Sequence, residues 1–265
     1  MLYFLILLFI IIVIIIDYKI KFSINKKKII KDKKISLIIL NFNRPHNLKY
    51  SLPILCKYNI IDEIIISHGK QDNYFKFKNK KVKHFKDYGL DKQIGGARRF
   101  MRVNNIRNEI VLFIDDDKLP SEYLIEYTLM KLLSNNKNTI YGYDSRYCYQ
   151  DGYSWMTQKN NKYNFNGKIP NVVITNYLMC KKKIITEYLN SSIGFNKFKR
   201  WLIKYKGNCE DISLSLFVQK YYNEYPVSIS SIFMLNHLKD LDKKNGYSSN
   251  TSHLEIRKNF CKKYN

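Results

Sequence analysis

Short apolar runs rich in β-branched residues recur in the first half of the chain and predict the strands of a buried sheet. Residues 35–40 (ISLIIL) and 63–67 (EIIIS) have this pattern, and Ile110–Ile114 (IVLFI) shows it most clearly. Residues 81–85 predict a further short strand. Short continuous apolar runs are typical of strands that are covered on both faces.

Predicted helices separate these strands. Pro45 suits the first position of a helix, which we expect to continue to about Leu55. Alternating strands and helices predict an α/β fold: one Rossmann-like domain with a mostly parallel central sheet and helices on both faces. The other predicted elements are a basic helical segment over residues 97–104, a helix from Leu119-Pro120-Ser121 to about residue 133, loops over residues 141–166, a strand near residues 172–178 and a helix near residues 211–219.

The first sixteen residues contain no charged side chain, and a lysine-rich stretch follows them. A helix that spans a bilayer needs about 20 apolar residues, so the run is slightly short, although Tyr18 and lysine stems extend its reach. No typical cleavage site follows the run. We therefore predict a single-pass membrane anchor at residues 1–18, a basic stem at residues 19–34 and one folded domain at residues 35–265. The lysine-rich flank places this domain in the cytoplasm by the positive-inside rule.

The formal net charge is +24. Such an excess is compatible with nucleic-acid or anionic-membrane binding. However, the lysines are spread over the whole chain, and the abundance of Ile, Asn, Tyr and Lys is what an A/T-rich genome encodes. The sequence therefore does not favour nucleic acid as a partner, whereas an anionic substrate would benefit from the charge. The five cysteines contain no C-x-x-C pair, so a zinc site is not indicated.

Three adjacent carboxylates, Asp115, Asp116 and Asp117, directly follow the predicted strand Ile110–Ile114. Adjacent carboxylates repel each other unless cations neutralise them. Oxygen ligands suit Mn²⁺ or Mg²⁺, which bind through one or two carboxylates together with substrate phosphates. The alternative is a solvated acidic turn that caps the next helix.

Other candidate residues lie near predicted strand or helix ends, where ligands bind in parallel sheets. Asn43 and Arg44 follow the first strand. Arg98 and Arg99 follow Gly95-Gly96, and such glycines let a backbone approach a diphosphate at a helix N-terminus. The same pattern also fits an ordinary turn with a solvated face. Glu210 and Asp211 open a helix, where acidic residues are commonly only dipole partners.

Together these segments resemble the exostosin-type glycosyltransferase domain over about residues 35–265. The resemblance rests on a strand that ends in Asn-x-Asn-Arg-Pro, on Asp-Asp-Asp, and on Asn208-Cys209-Glu210-Asp211-Ile212. Residues 173–189 are similar to the family's central strand and helix. Its final segment is matched by Gly246-Tyr247-Ser248-Ser249 followed by His253, Arg257 and Cys261. Ser67-His68-Gly69 stands where the family has Trp-Asn-Asn, so the donor pocket is expected to differ there.

This resemblance implies a glycosyltransferase A fold, a UDP-sugar donor, Mn²⁺ (or Mg²⁺) and transfer with retention of anomeric configuration. It favours an N-acetylhexosamine or related hexose as the sugar and a glycan or glycoconjugate as the acceptor. It also implies a lumenal domain, which opposes the orientation predicted from charge.

The resemblance also implies roles for single residues. Asp117, with Asp115, would bind the metal, and Asp115 and Asp116 would lie near the ribose. Asn43 and Arg44 would lie beside the nucleotide, and His253 and Arg257 would reach the diphosphate, Arg257 as a catalytic group. Asp211 would be catalytic: it would position the acceptor or steady oxocarbenium-like charge in a retaining reaction, or act as general base in an inverting one. A Cys209–Cys261 disulfide is implied as well, and it requires an oxidising compartment.

Two other functions stay open. One is a non-catalytic protein of this fold that binds acidic glycan or nucleic acid through its basic surface, with an affinity that falls steeply with salt. The other is a transferase of a related inverting family, which would share the fold and the three aspartates.

Overall fold

The structure is a computed structural model that describes residues 29–135, 137–155, 170–230, 236–242 and 252–265, with residues 4 and 234. The predicted anchor at residues 1–18 and most of the predicted stem lie outside the described residues. Within the described part of the chain, no helix combines the length and the apolar character that a membrane crossing requires.

The strands of the described residues are β1 (Ile35–Asn41), β2 (Ile61–His68), β3 (Val82–Lys86), β4 (Ile110–Ile114), β5 (Lys118–Pro120), β6 (Tyr141–Gly142), β7 (Ser145–Tyr149), β8 (Gly152–Trp155), β9 (Val172–Val173), β10 (Tyr177–Lys181), β11 (Val227–Ser228) and β12 (Leu238–Asp240). The helices are α1 (Pro45–Leu55), α2 (Tyr88–Ile94), α3 (Arg98–Met101), α4 (Glu122–Ser134), α5 (Lys182–Asn190), α6 (Phe195–Lys204), α7 (Glu210–Tyr222) and α8 (Ser252–Tyr264).

Seven strands form the central sheet in the order β11-β6-β10-β4-β1-β2-β3. Strands β1 to β4 run parallel to one another, whereas β10 is antiparallel to both β4 and β6. Two smaller sheets, β8-β7-β9 and β12-β5, flank the central one. The predicted α/β fold with a mostly parallel sheet is confirmed.

Alternate residues of the central strands pack against helices on opposite faces of the sheet. Ile38 and Phe113 belong to a cluster with residues of α5, α6 and α7, whereas Leu37 and Leu112 belong to a cluster with residues of α1 and α4. Because β1 is covered on both faces, all seven of its residues are buried. This burial explains why its sequence is a continuous apolar run.

Several second-half elements differ from the prediction. The segment predicted as loops over residues 141–166 contains β6, β7 and β8, and the strand predicted near residues 172–178 is two separate strands, β9 and β10. The basic helical segment predicted over residues 97–104 is a single α-helical turn, α3, between two 3₁₀ turns. Helices α6 and α8 were not predicted.

The sheet brings the ends of distant segments to one edge. Because β1 and β4 are parallel and Ile39 pairs with Ile114, the residues after both strands leave the sheet side by side. The antiparallel strand β10 starts opposite Ile114, so Thr175 and Asn176 lie at the same edge. This edge holds the candidate site.

Candidate functional site

A cleft of about 860 Å³ lies at this edge of the sheet. Residues from separate parts of the chain line it, and they include the ten side chains that were predicted to act in catalysis, in donor binding or in metal binding. These ten are Asn43, Arg44, Arg98, Arg99, Asp115, Asp116, Asp117, Asp211, His253 and Arg257.

Arg44 holds two of the three adjacent aspartates. Its Nη1 lies 2.7 Å from Asp117 Oδ2 and its Nη2 lies 2.5 Å from Asp116 Oδ1. Burial, and then the charges of Asp115 and Asp117, raise the pKa of Asp116 to about 6 against the opposing attraction of Arg44. Burial and then the charge of Asp115 also raise the pKa of Asp117. The three carboxylates therefore carry a charge that the fold alone does not fully neutralise.

The donor atoms of this cluster fit a divalent cation. Asp117 Oδ1 is buried and has no hydrogen-bond partner, which leaves a desolvated carboxylate oxygen within the cluster. A buried oxygen of this kind costs free energy unless a cation or donor satisfies it. Within the described residues, no three His, Cys, Asp or Glu side chains are grouped so that they could enclose a metal by themselves. Mg²⁺-type ions commonly take only one or two protein carboxylates and complete their shell with water and substrate phosphates.

Arg99 links this cluster to a second acidic pair. Its guanidinium donates to Asp115 Oδ1 at 2.6 Å and to the backbone oxygen of Thr175 at 2.7 Å, and it lies 3.9 Å from Glu210 Oε1. Only 3% of Arg99 is exposed. It therefore fixes the end of β4 relative to the start of α7.

Glu210 is a site residue to which the sequence analysis gave no role. Thr175 Oγ1 donates to its Oε1 at 3.0 Å. Burial, and then the charge of Asp211, raise the pKa of Glu210 to about 7. Cys209, which precedes α7, has a left-handed backbone with φ of 78°. In the sequence, the signal that was available for Glu210 was its position beside Asp211 in the first turn of a helix.

Asp211 and Arg257 form a buried ion pair at the other end of the cleft. Arg257 Nη1 donates to Asp211 Oδ2 at 2.9 Å, and Asp211 Oδ1 accepts from the backbone nitrogen of Ile212 at 2.8 Å. Arg257 also donates from Nη1 to Tyr153 Oη at 2.9 Å and from Nε to His253 Nε2 at 3.0 Å. Burial, and then Arg257, lower the pKa of His253 to about 4, so the imidazole is neutral and can accept this bond. The C-terminal helix α8 thus places a preorganised guanidinium in the cleft.

Arg98 differs from the diphosphate-binding role that was predicted for it. It is 2% exposed, forms an ion pair with Asp91, and donates to Ser67 Oγ at 3.1 Å and to the backbone oxygen of Asn41 at 3.2 Å. These bonds join the ends of β1 and β2 to the start of α3. The guanidinium nitrogens of Arg98 therefore donate hydrogen bonds to other groups of the fold.

The two glycines before Arg98 permit close packing rather than the predicted approach to an anion. A Cβ atom on Gly95 would lie 1.9 Å from the backbone oxygen of Lys206. A Cβ atom on Gly96 would lie 3.2 Å from Glu210 Oε1. The segment that carries Arg99 consequently lies directly against the segment that leads into α7.

The predicted Cys209–Cys261 disulfide is wrong in this structure, which joins Cys261 to Cys148 with a Cα–Cα distance of 5.3 Å. Cys209 is buried and free. The reason is that α8 packs on β7 and β8, so Cys261 faces Cys148 on β7. The disulfide therefore ties α8, which carries Arg257, to the small three-stranded sheet.

In the segment Ser67-His68-Gly69, the side chains of Ser67 and His68 are buried, and Gly69 lines the cleft. His68 is fully buried, accepts from Asn41 Nδ2 at 2.8 Å on Nδ1 and lies 2.9 Å from His84 through Nε2. Gly69 is close-packed, since an added Cβ would lie 2.6 Å from Arg98 Nη2. Cleft-lining residues that the sequence analysis missed include Lys70, Gln71, Asp72, Asp144, Arg146, Tyr153, Thr175, Asn176 and Lys206.

The fold is similar to that of a solved glycosyltransferase. The mannosyltransferase PcManGT from Pyrobaculum calidifontis, in complex with GDP-Man and Mn²⁺, matches with a TM-score of 0.51 and 10% identity, over 87% of this chain and 66% of that one. Glucosyl-3-phosphoglycerate synthase from Mycobacterium tuberculosis, in complex with Mn²⁺, UDP and phosphoglyceric acid, matches with a TM-score of 0.41 and 10% identity, over 61% of this chain and 60% of that one. The chain thus spans less than two thirds of the length of either protein.

Comparison with curated proteins finds no match. The sequence profile of the glycosyl transferase family 64 domain, however, matches residues 35–265, which is all of the given chain beyond the predicted stem. The chain therefore belongs to glycosyl transferase family 64.

Proposed function

We propose that this chain is an exostosin-type retaining transferase that uses a divalent metal, Mn²⁺ or Mg²⁺. It moves an N-acetylhexosamine or a related hexose from a UDP-sugar to a glycan or glycoconjugate acceptor. One observation carries the proposal: the aspartates at 115–117 and the pair Glu210-Asp211 line one cleft, and the guanidinium of Arg99 lies between Asp115 and Glu210.

At the donor end, Asp117 and Asp115 would hold the metal ion. Such an ion supplies Lewis-acid stabilisation of a departing nucleoside diphosphate. Arg44 and Asn43 would contact the nucleotide, and their loop is preorganised because Asn73 Nδ2 donates to the backbone oxygen of Phe42 at 2.7 Å. Asp116 would hold Arg44 in place through the ion pair described above.

At the reacting end, Arg257 would stabilise the charge that develops on the β-phosphate. Donors that are already oriented in a water-poor site are effective because they need no reorganisation in the transition state. Three partners orient Arg257, namely Asp211, Tyr153 and His253. His253 would act through Arg257 and by bordering the diphosphate.

The surroundings of Asp211 favour retention. Both of its oxygens accept hydrogen bonds, one from a buried arginine, so it is better suited to orienting the acceptor and steadying positive charge than to taking a proton. A second candidate is inverting transfer with Glu210 as the general base, because its pKa of about 7 suits that task. The anomeric configuration of the first-formed product, followed by proton NMR, separates the two.

The test is a screen for nucleoside-diphosphate release by the full chain. UDP-sugars and GDP-mannose are supplied with Mn²⁺, with Mg²⁺ or with EDTA. Metal-dependent release from one UDP-sugar, increased by an acceptor, is the expected result. Release from GDP-mannose alone would contradict the UDP assignment. Binding of an acidic glycan by a folded sample without any turnover would support the non-catalytic alternative.

A further inference from the structure

The outer face of α6 is a cationic surface outside the candidate cleft. Its inner residues Phe195, Phe198 and Leu202 are buried in the fold. Its outward residues Lys197, Lys199, Arg200 and Lys204 are exposed, and residues 195–206 contain no acidic side chain. Among the described residues, none of these four cations takes part in an ion pair.

This surface includes a groove of about 560 Å³ between α6 and the end of α8. Four of its lining residues are basic and none is acidic, and Trp201 and Tyr264 contribute aromatic rings. Lys263 Nζ lies 5.8 Å from the centre of the Trp201 ring. Burial, and then the charge of Lys197, lower the pKa of Lys220 nearby.

Exposed apolar side chains accompany the cations. Among the described residues, the exposed large hydrophobic side chains are five aromatics and two isoleucines. Both isoleucines are here: Ile203, 46% exposed, lies on the outer face of α6, and Ile193, 37% exposed, lies in the turn before it. A soluble polyanion would neutralise the lysines but would leave the isoleucine side chains exposed to water. An anionic lipid surface accommodates both, because apolar side chains and Trp enter the interface while basic groups meet the headgroups.

We infer that the outer face of α6, with the groove beside it, docks on an anionic lipid surface. Lys206, two residues beyond the end of α6, lines the candidate cleft, so docking holds the mouth of the cleft near the lipid headgroups. Acceptors attached to lipid or displayed at that surface would then be favoured over those in bulk solution.

The predicted anchor would itself hold the full chain on vesicles, so the test reads local contact at α6 instead of total binding. The chain has two tryptophans, and a Trp155→Phe background leaves Trp201 as the only one. The full chain is placed on vesicles of phosphatidylcholine alone or mixed with phosphatidylserine, both with brominated acyl chains that quench nearby tryptophan. Strong quenching of Trp201 with phosphatidylserine, weak quenching without it, and its loss at high salt are the expected results.

Substitutions then separate the contributions. Each basic residue near an anionic surface is worth about fivefold in partitioning, so Lys197→Gln with Arg200→Gln should weaken docking roughly 25-fold. Lys78→Gln with Lys80→Gln, at exposed positions elsewhere, is the matched control and should change nothing. Ile203→Ser should reduce quenching by lipid without changing the response to soluble polyphosphate.

A second measurement uses the unmodified chain. Amide hydrogen exchange over residues 195–204 should slow on phosphatidylserine vesicles and not on phosphatidylcholine vesicles. Equal quenching and equal exchange on both lipids would overturn the inference. So would a Trp201 response to soluble polyphosphate with none to lipid, which would identify a soluble polyanion as the occupant.

Discussion

Gly95 is the position where a single methyl group should disturb the site most clearly. Its backbone has φ of 45° and ψ of −123°, a combination that is essentially restricted to glycine. An added Cβ would lie 1.9 Å from the backbone oxygen of Lys206, an atom that cannot rotate away. Gly95→Ala should therefore cost about 1–3 kcal/mol for the strained backbone and about 1–3 kcal/mol for overpacking, or about 2–6 kcal/mol together.

The same change should reduce activity, because the contact holds the segment of Arg99 against the segment of Glu210. A displacement of about 1 Å in an active site can lower the rate 10²-fold. Urea and thermal unfolding measure the first effect, and for a domain of this size a loss of 2 kcal/mol lowers the Tm by at least about 4 °C. The matched control is Gly89→Ala on α2, where an added Cβ meets nothing within 4 Å. This control should be neutral or stabilise the fold by about 0.5 kcal/mol. Equal stability of Gly95→Ala and Gly89→Ala would refute the reasoning.

Three further predictions concern the disulfide, Glu210 and Arg257. Alkylation of the unfolded, oxidised chain should label three cysteines, including Cys209, and five after reduction. Cys148→Ser should lower stability by about 2–5 kcal/mol, and labelling of Cys148 without reductant would contradict the pairing. The folded-state pKa of Glu210, about 7, lies above its ordinary value of 4.5. The folded chain therefore binds the extra proton between these pH values and loses stability as pH rises through this window. Glu210→Gln should escape this loss and gain on the order of 1–3 kcal/mol over the wild type at pH 8, whereas a constant difference between pH 4.5 and 8 would argue against it. Arg257→Lys keeps the charge but not the fork of donors, and kcat/KM should fall about 10²-fold; a change in KM alone would argue against a transition-state role.

The parts that could be predicted from sequence are those that local pattern determines. The continuous apolar runs of β1 and β4 and the proline at the start of α1 identified those elements because burial on both faces and helix initiation leave local signals. The aspartates at 115–117 were located because they directly follow one of these strands. Because β1 and β4 are parallel, Asn43 and Arg44 lie beside the three aspartates at one edge of the sheet.

The disulfide partner of Cys261 and the contacts of Arg98 could not be predicted correctly, because they depend on contacts between distant segments. Cys148 lies 113 residues before Cys261, in a segment rich in tyrosine and asparagine that was predicted as loops. Its strands are recognisable only through their pairing partners. Arg98 and Arg99 look alike in sequence, yet Arg98 is bonded to the ends of β1 and β2, whereas Arg99 joins Asp115 to the backbone of Thr175. Sequence spacing contains no information on this difference.

The most direct test of metal-dependent transfer at the cleft compares Asp117→Asn with Asp62→Asn. Asp62 forms an exposed ion pair with Arg107, away from the cleft, and serves as the matched loss of one carboxylate. With the donor identified by the screen, Mn²⁺-dependent release of nucleoside diphosphate and Mn²⁺ binding in the presence of that diphosphate are measured for both. Asp117→Asn is expected to remain folded, to bind Mn²⁺ more weakly and to lose about 10²-fold or more in rate, whereas Asp62→Asn should resemble the wild type. Wild-type rates and Mn²⁺ binding in Asp117→Asn would contradict this expectation.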